Sequence, residues 1–339
     1  MDESISQTSW MHDIPDDAPV TTLSIPGTHD SCCVDGPLGF GKTQNLDLTD
    51  QLNSGIRFLD IRLAHYQDNL FAHHDVVHMG KSYADILSIC INFLERHPSE
   101  TILMSVKEEE RFDSRLGSFA PSEAFGKPRA DPANWIIRSN TFEEAFKART
   151  WQHVEDASLF YNFDVPLPNG GSMTTNLPLT PETTLGEVRG KIVLLRRFEG
   201  SQDVGFDLTY WSENQRFRSA TTLTYDVEDR YQDPGEDDKY NFVIAHMEEA
   251  RCGDSRDLYI TFSSAVNLKA RGYSKVINPR LSEYLAGAPR ERVGIIVMDY
   301  FEEPRELVSN VIKMNFTAGV ASGHDAGYGS RTIDDQGYH

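Results

Sequence analysis

The chain has 339 residues, 39% of them hydrophobic and 10% aromatic, which is enough for a sizeable core and too much for intrinsic disorder over most of its length. Its formal net charge of −20 repels nucleic-acid phosphates and gives no bulk attraction to an anionic bilayer. DNA and RNA are therefore excluded as partners, and any membrane contact has to rest on a local patch or on inserted apolar side chains.

In chain order, the acidic start MDESISQTSWMHDIPDD lacks the apolar stretch of a signal peptide, and no later run approaches the length of a membrane span. The expected location is cytoplasmic or peripheral membrane, with a mature secreted form also allowed. Short β-branched runs between polar turns predict strands near 22–26, 56–63, 70–74, 102–107, 191–197, 221–225, 257–263 and 293–299. Helical periodicity predicts helices over 83–96, 139–150, 236–251 and 303–314. Cys90 falls at helical spacing among Ile86, Leu87, Phe93 and Leu94 and is expected in the core; with Cys32, Cys33 and Cys252 it makes no disulfide framework.

This alternation predicts an α/β fold with a parallel sheet and helices outside, a single (β/α) TIM-type barrel, closed or nearly closed, with a distorted or incompletely closed form also allowed. The barrel domain is expected over 1–317. A long insertion is expected at about 111–185, where Pro121, Pro128, Pro132, Pro166, Pro168 and the Asn169-Gly170-Gly171 turn break the pattern. The Gly- and Ser-rich end, 318–339, is expected to be a flexible tail.

Six predicted strands deliver a titratable residue at or near their C-terminal ends: His29 and Asp30, Asp60 and Arg62, His74, Lys107, Arg197, and Asp299. In a β/α barrel those ends share one face, where the active sites of such enzymes lie. Two histidines supply a base and an acid when neighbours tune them apart, carboxylates such as Asp30 and Asp299 orient an imidazole, and Arg62 and Lys107 suit a phosphate. The set fits transfer at a phosphodiester. A metal site of His29, Asp30, Asp60 and His74 is conceivable, but Arg62 would repel a divalent cation, so no cofactor and no metal are expected.

LSIPGTHDS (23–31), GIRFLDIR (55–62), AHHD (72–75), HPSETILMSVKEE (97–109), KIVLLRRF (191–198), INPRL (277–281) and ERVGIIVMDY (291–300) occur in an order that resembles the bacterial-type, X-domain-like phosphatidylinositol-specific phospholipase C family, with its related fungal proteins. The resemblance covers about residues 8–110 and 186–312. It implies that His29 is the general base on the inositol 2-hydroxyl, held by Asp299. His74 is then the general acid to the leaving diacylglycerol, helped by Asp30, and Arg62 stabilises the phosphate where metal-dependent relatives hold calcium. Lys107, Arg197, Asp229 and Tyr231 would contact inositol hydroxyls. The products would be diacylglycerol and inositol 1,2-cyclic phosphate, formed at a membrane surface with no obligate protein partner.

Of the adjacent His73 and His74 only one can face the site, and the spacing to Pro98-Ser99-Glu100 favours His74. Asp75 stands where bacterial relatives usually show glycine, which leaves open a phosphodiesterase acting on another head group. A catalytically silent, lipid-binding barrel is the alternative from another class. Leu38 and Phe40, in the loop 36–41, are expected either to enter the bilayer interface or to pack as a core loop. His65 is expected at the surface or rim, and Trp10, Trp151 and Trp211 are expected to pack, with Trp135 either packing or facing lipid.

Overall fold

The computed structural model describes residues 5–35, 41–66, 68–74, 77–109, 140–154, 157–163, 177–266 and 270–316. Leu38, Phe40, Asp75, Trp135 and the segment 318–339 lie outside the described residues, as does most of the segment 111–185.

Eleven strands form one sheet: β1 (Ile25–Thr28), β2 (Phe58–Tyr66), β3 (Asn69–His74), β4 (Val77–Ser82), β5 (Ile102–Glu108), β6 (Ile192–Arg197), β7 (Phe206–Asp207), β8 (Arg216–Ala220), β9 (Thr224–Glu228), β10 (Leu258–Phe262) and β11 (Ile295–Met298). The path runs β7-β6-β5-β2-β1-β11-β10-β9-β8. Eight of these strands pair in parallel, and the last, β11, lies beside the first, β1, as barrel closure requires. Among the described residues no ladder joins β7 to β9. The rings of Phe206 and Tyr225 meet edge to face across that gap, with centroids 5.8 Å apart. The barrel is thus incompletely closed.

Helices α1 (Leu48–Asn53), α2 (Tyr83–Arg96), α3 (Phe142–His153), α4 (Leu185–Val188), α5 (Glu236–Cys252), α6 (Ala270–Gly287) and α7 (Glu306–Lys313) accompany the strands. Helix α2 occupies the predicted span because both of its signals are local. Ser82 and Asp85 form a reciprocal capping box, and Ile86, Leu87, Cys90, Phe93 and Leu94 make one buried stripe. Within the segment expected as an insertion, α3 packs on the barrel: Phe146 stacks on Tyr83 at 4.9 Å and touches Phe198 at 5.1 Å.

Three expectations change. Trp151, expected to pack, is exposed on α3. The run at 70–74 is not a barrel strand; β3 pairs antiparallel with β2 and β4 as an excursion from the sheet. His65 is buried beside the ring of Phe142, because β2 runs on past the barrel layer to Tyr66. Cys90 is in the core, and all four cysteines are unbridged. Among the described residues no helix is long and apolar enough to cross a membrane.

At the end of the barrel away from the strand C-termini, the buried Arg57 pairs with Glu100 at 2.9 Å and donates to the carbonyls of Leu52, Ile56 and Thr8. This pair ties the N-terminal turns to the barrel floor. The opposite end is left to carry chemistry.

Candidate active site

Sheet register sets the first feature of the site. Arg62 is level with Lys107 across β2 and β5, and Lys107 is level with Arg197 across β5 and β6, so three cations stand in one row on one face. On the other side, Thr28 is level with Leu59 and with Met298. One residue further on, the chain places His29 between Asp60 and Asp299. Gly27 permits this close approach of β1 to β2, since a Cβ there would meet Phe58 at 2.8 Å.

His29 Nδ1 lies 2.8 Å from Asp299 Oδ1, and Nε2 lies 2.9 Å from Arg62 Nη2. A guanidinium has hydrogens only to give, so this geometry describes a neutral ring with its proton on Nδ1, donated to Asp299, and a lone pair on Nε2. Burial favours the neutral form, but Asp30 and Asp299 outweigh it and Arg62, and raise His29 to about 9. Hydrogen-bond geometry and charge environment thus favour different protonation states of His29 near neutrality. The contact at 2.9 Å fixes the geometry of the base form, and the raised value says that this form becomes the majority only at alkaline pH. Burial pushes Asp299 above the usual carboxylate range, against the pull of His29.

Asp30 follows β1 with φ at +43°, in the left-handed region that an Asp tolerates. Its carboxylate is fully buried and links the two halves of the site: Oδ1 pairs with Arg62 Nε and Oδ2 with His74 Nδ1. Burial opposes its charge, but Arg62, His29 and His74 together hold Asp30 well below the usual carboxylate range. His74 reaches this point because the hairpin of β3 and β4 folds back over the barrel mouth. Gly41, at φ +73°, leaves room for the ring, since a Cβ there would stand 3.1 Å from His74 Cδ2.

Arg62 is ringed by acceptors. Besides Asp30 it meets Asp60 and Glu109, each at 3.3 Å, and these carboxylates outweigh burial and raise its pKa well above the ordinary value. Asp60 also accepts from Arg197 at 3.3 Å, which braces two members of the cation row. A metal held by His29, Asp30 and Asp60 would need donors within reach of one another, and these three are. Their carboxylates already wrap the guanidinium of Arg62, which supplies the positive charge a cation would bring.

The remaining expected residues form an outer ring. Arg197 stacks on Trp211 with its guanidinium carbon 3.6 Å from the ring centroid, and Trp211 Nε1 donates to Asp229 at 2.9 Å. Lys107 meets Glu213 at 3.4 Å, and the Tyr231 hydroxyl donates to Glu213 at 3.2 Å. Asp229 follows β9, so six parallel barrel strands carry a candidate residue toward their C-terminal ends, with β9 taking the place that 70–74 was expected to fill. Asp60 as a brace, Glu109, Trp211 as a stacking partner and Glu213 were not expected here. Trp211 and Glu213 sit in an irregular segment whose signal, a Trp among Ser, Glu, Asn and Gln, has no period to read.

No family model matches the chain. The curated 1-phosphatidylinositol phosphodiesterase of Staphylococcus aureus (strain Newman) is 28% identical over 336 residues, covering 92% of this chain and 95% of that protein. Its Listeria monocytogenes counterpart is 25% identical over 335 residues, covering 92% and 86%. The human PI-PLC X domain-containing protein 1 is 30% identical over 134 residues, covering 30% of this chain and 42% of that protein. Among solved structures, the phosphatidylinositol-specific phospholipase C of Staphylococcus aureus overlays with a TM-score of 0.74 at 26% identity, covering 91% of this chain and 98% of that one. Another form of that enzyme, solved for modulation of its membrane binding, overlays at 0.73 with 26% identity and the same coverage. With the open barrel and the ordered motifs, this chain is similar nearly end to end to bacterial phosphatidylinositol-specific phospholipases C.

Proposed function

We propose that the protein cleaves phosphatidylinositol at a membrane surface, releasing diacylglycerol and inositol 1,2-cyclic phosphate. The observation that carries this reading is the pairing of two imidazoles, each with its own buried carboxylate, around one guanidinium. His29 takes the proton of the inositol 2-hydroxyl on Nε2, and Asp299 stabilises the imidazolium that forms. The oxygen of that hydroxyl attacks phosphorus, and the bond from phosphorus to the glycerol oxygen breaks. His74, with Nδ1 held by Asp30, gives a proton to the leaving oxygen. Arg62 lies between the two rings and neutralises the charge that grows on the phosphoryl oxygens.

Lys107, Arg197, Asp229 and Tyr231 take the inositol hydroxyls, through a rim that Trp211 and Glu213 brace. The acidic body makes bulk adhesion to anionic lipid unfavourable, so the enzyme meets the bilayer as a peripheral protein through local contacts, for which Leu38 and Phe40 are candidates. The barrel with its helices is one catalytic domain over 1–317, followed by the tail 318–339.

Release of cyclic inositol phosphate from mixed micelles of phosphatidylinositol and detergent tests the reading. Turnover is expected from the parent chain with or without EDTA, and His29→Ala and His74→Ala are each expected to abolish it while the circular dichroism spectrum is kept. Cleavage of phosphatidylcholine or sphingomyelin with none of phosphatidylinositol would transfer the chemistry to another head group. No turnover on any of them would leave a silent lipid-binding barrel.

A further inference from the structure

The acid half of the site contains a group that the proposed reaction does not use. Cys33, three residues after Asp30, is buried, and its thiol lies close to the bond between Asp30 and His74. One carboxylate oxygen of Asp30, the sulfur of Cys33 and one ring nitrogen of His74 all lie within 4.8 Å of one another. A tetrahedral zinc site with its usual bond lengths holds such donors about 3.3–3.7 Å apart. The three donors lie near that spacing, and a cation between them would open the direct Asp30–His74 contact, with the partly exposed His74 ring as the member able to give way.

We propose that Asp30, Cys33 and His74 form a binding site for a thiophilic divalent cation, Zn2+ or Cd2+, and that filling it shuts off the acid half of the active site. A carboxylate, a thiolate and an imidazole are a common zinc donor set, and the sulfur selects against Mg2+ and Ca2+, which prefer oxygen. On binding, the thiol proton leaves to solvent, His74 coordinates through Nδ1 with its remaining proton on Nε2, and the cation replaces the proton that Nδ1 shares with Asp30. A metal-bound imidazole is no longer an imidazolium that can deliver a proton to a leaving oxygen. Burial pushes the free Cys33 thiol up, so without a metal it is a protonated, unreactive group. Arg62 on the other oxygen of Asp30 opposes the cation, and the two negative charges of carboxylate and thiolate offset that opposition locally.

The inhibition rests on the proposed function, but the binding does not, so the two are read separately. Without substrate, titrating the reduced full-length chain with Co2+ is expected to give one equivalent of thiolate-to-cobalt charge-transfer absorption, displaced by Zn2+. Cys33→Ala should lose the band and Cys32→Ala should keep it. With phosphatidylinositol micelles, Zn2+ or Cd2+ is expected to inhibit the parent and Cys32→Ala, reversibly on chelation. Cys33→Ala should keep its basal turnover and tolerate at least tenfold more metal. If Cys33→Ala is poorly folded by thermal melting, Cys33→Ser is used instead and should likewise show metal affinity lowered at least tenfold. Absence of the cobalt band in the parent would overturn the site. A band or an inhibition constant unchanged by both Cys33 substitutions would also overturn it.

Discussion

Asparagine at position 299 keeps the outline of the side chain and removes the charge 2.8 Å from His29 Nδ1. Two unit charges 4 Å apart interact by about 4 kcal/mol at an effective dielectric near 20, and Asp299, itself pushed up by burial, delivers part of that. A loss of about 2 kcal/mol corresponds to a fall of about 1–2 pKa units in His29. The sign follows from the role of the residue. A base works deprotonated, so in the parent the acid limb of kcat/KM rises late, toward the value of about 9 that two carboxylates impose on His29. In Asp299→Asn that limb should move to lower pH, while plateau turnover drops by about 10²–10⁴-fold because the imidazolium has lost its counter-charge and the ring its fixed tautomer. The assay is cyclic inositol phosphate release from mixed micelles between pH 5 and 10, with the His29 titration followed by NMR of the ring protons. Full turnover with an unmoved limb would remove Asp299 from the site. Lost turnover with an unmoved limb would reduce it to a steric support.

Three further outcomes are expected. Arg62→Lys replaces a planar fork that touches Asp30, Asp60, Glu109 and His29 by a single ammonium, so kcat should fall about 10²–10³-fold, more than KM changes, in steady-state kinetics. Trp211→Ala removes the ring under Arg197 and the donor to Asp229, and should raise KM by roughly 5–30-fold with the pH limbs in place. Asp30 has a depressed folded pKa, so its contribution to stability is present above the unfolded value near ~3.9 and is lost as pH falls below it. Asp30→Asn should therefore be less stable at neutral pH and lose less stability on acidification, as read by urea midpoints at pH 7 and pH 3.

What was legible in the sequence was whatever a local signal fixes. Helix α2 carries its own cap and stripe, and the strand runs carry β-branched residues that end in charges. Their shared face follows once a barrel is assumed, and Arg62, Lys107 and Arg197 do stand in one row. Pairing partners are not local. The run at 70–74 has the alternation of any half-buried strand, and nothing in it says that it turns back along β2. Helix α6 was not anticipated because Pro279 interrupts it and Arg271, Lys275, Arg280 and Glu283 dilute its apolar stripe of Tyr273, Ile277, Leu281 and Leu285. The bracing roles of Asp60, Glu109, Trp211 and Glu213 depend on which side chains meet across elements far apart in the chain.

The two halves of the site are built to different stiffness. The base half hangs on barrel strands whose ends are bolted together. The buried Gln44 amide donates to the carbonyls of His29 and Met298, each at 2.9 Å. The Thr43 carbonyl accepts from the backbone of Tyr300 at 2.8 Å, and the Asn278 amide donates to the carbonyls of Asp299 at 2.9 Å and Tyr300 at 3.1 Å. His29 and Asp299 therefore cannot part without breaking bonds within the barrel itself. The acid half couples a buried carboxylate at the end of β1 to a histidine on an antiparallel excursion, with the backbone of Gly41 packed against its ring. A base must meet a hydroxyl on a sugar held by fixed cations, and rigidity serves it. An acid that serves a leaving lipid, and whose product must depart into a bilayer, is carried instead on an element tied to the barrel through β2 alone among the described strands. Substitutions in the hairpin should then move the alkaline limb of turnover more than the acid limb, with Asp30 coupling the two rings, as read from kcat/KM between pH 5 and 10.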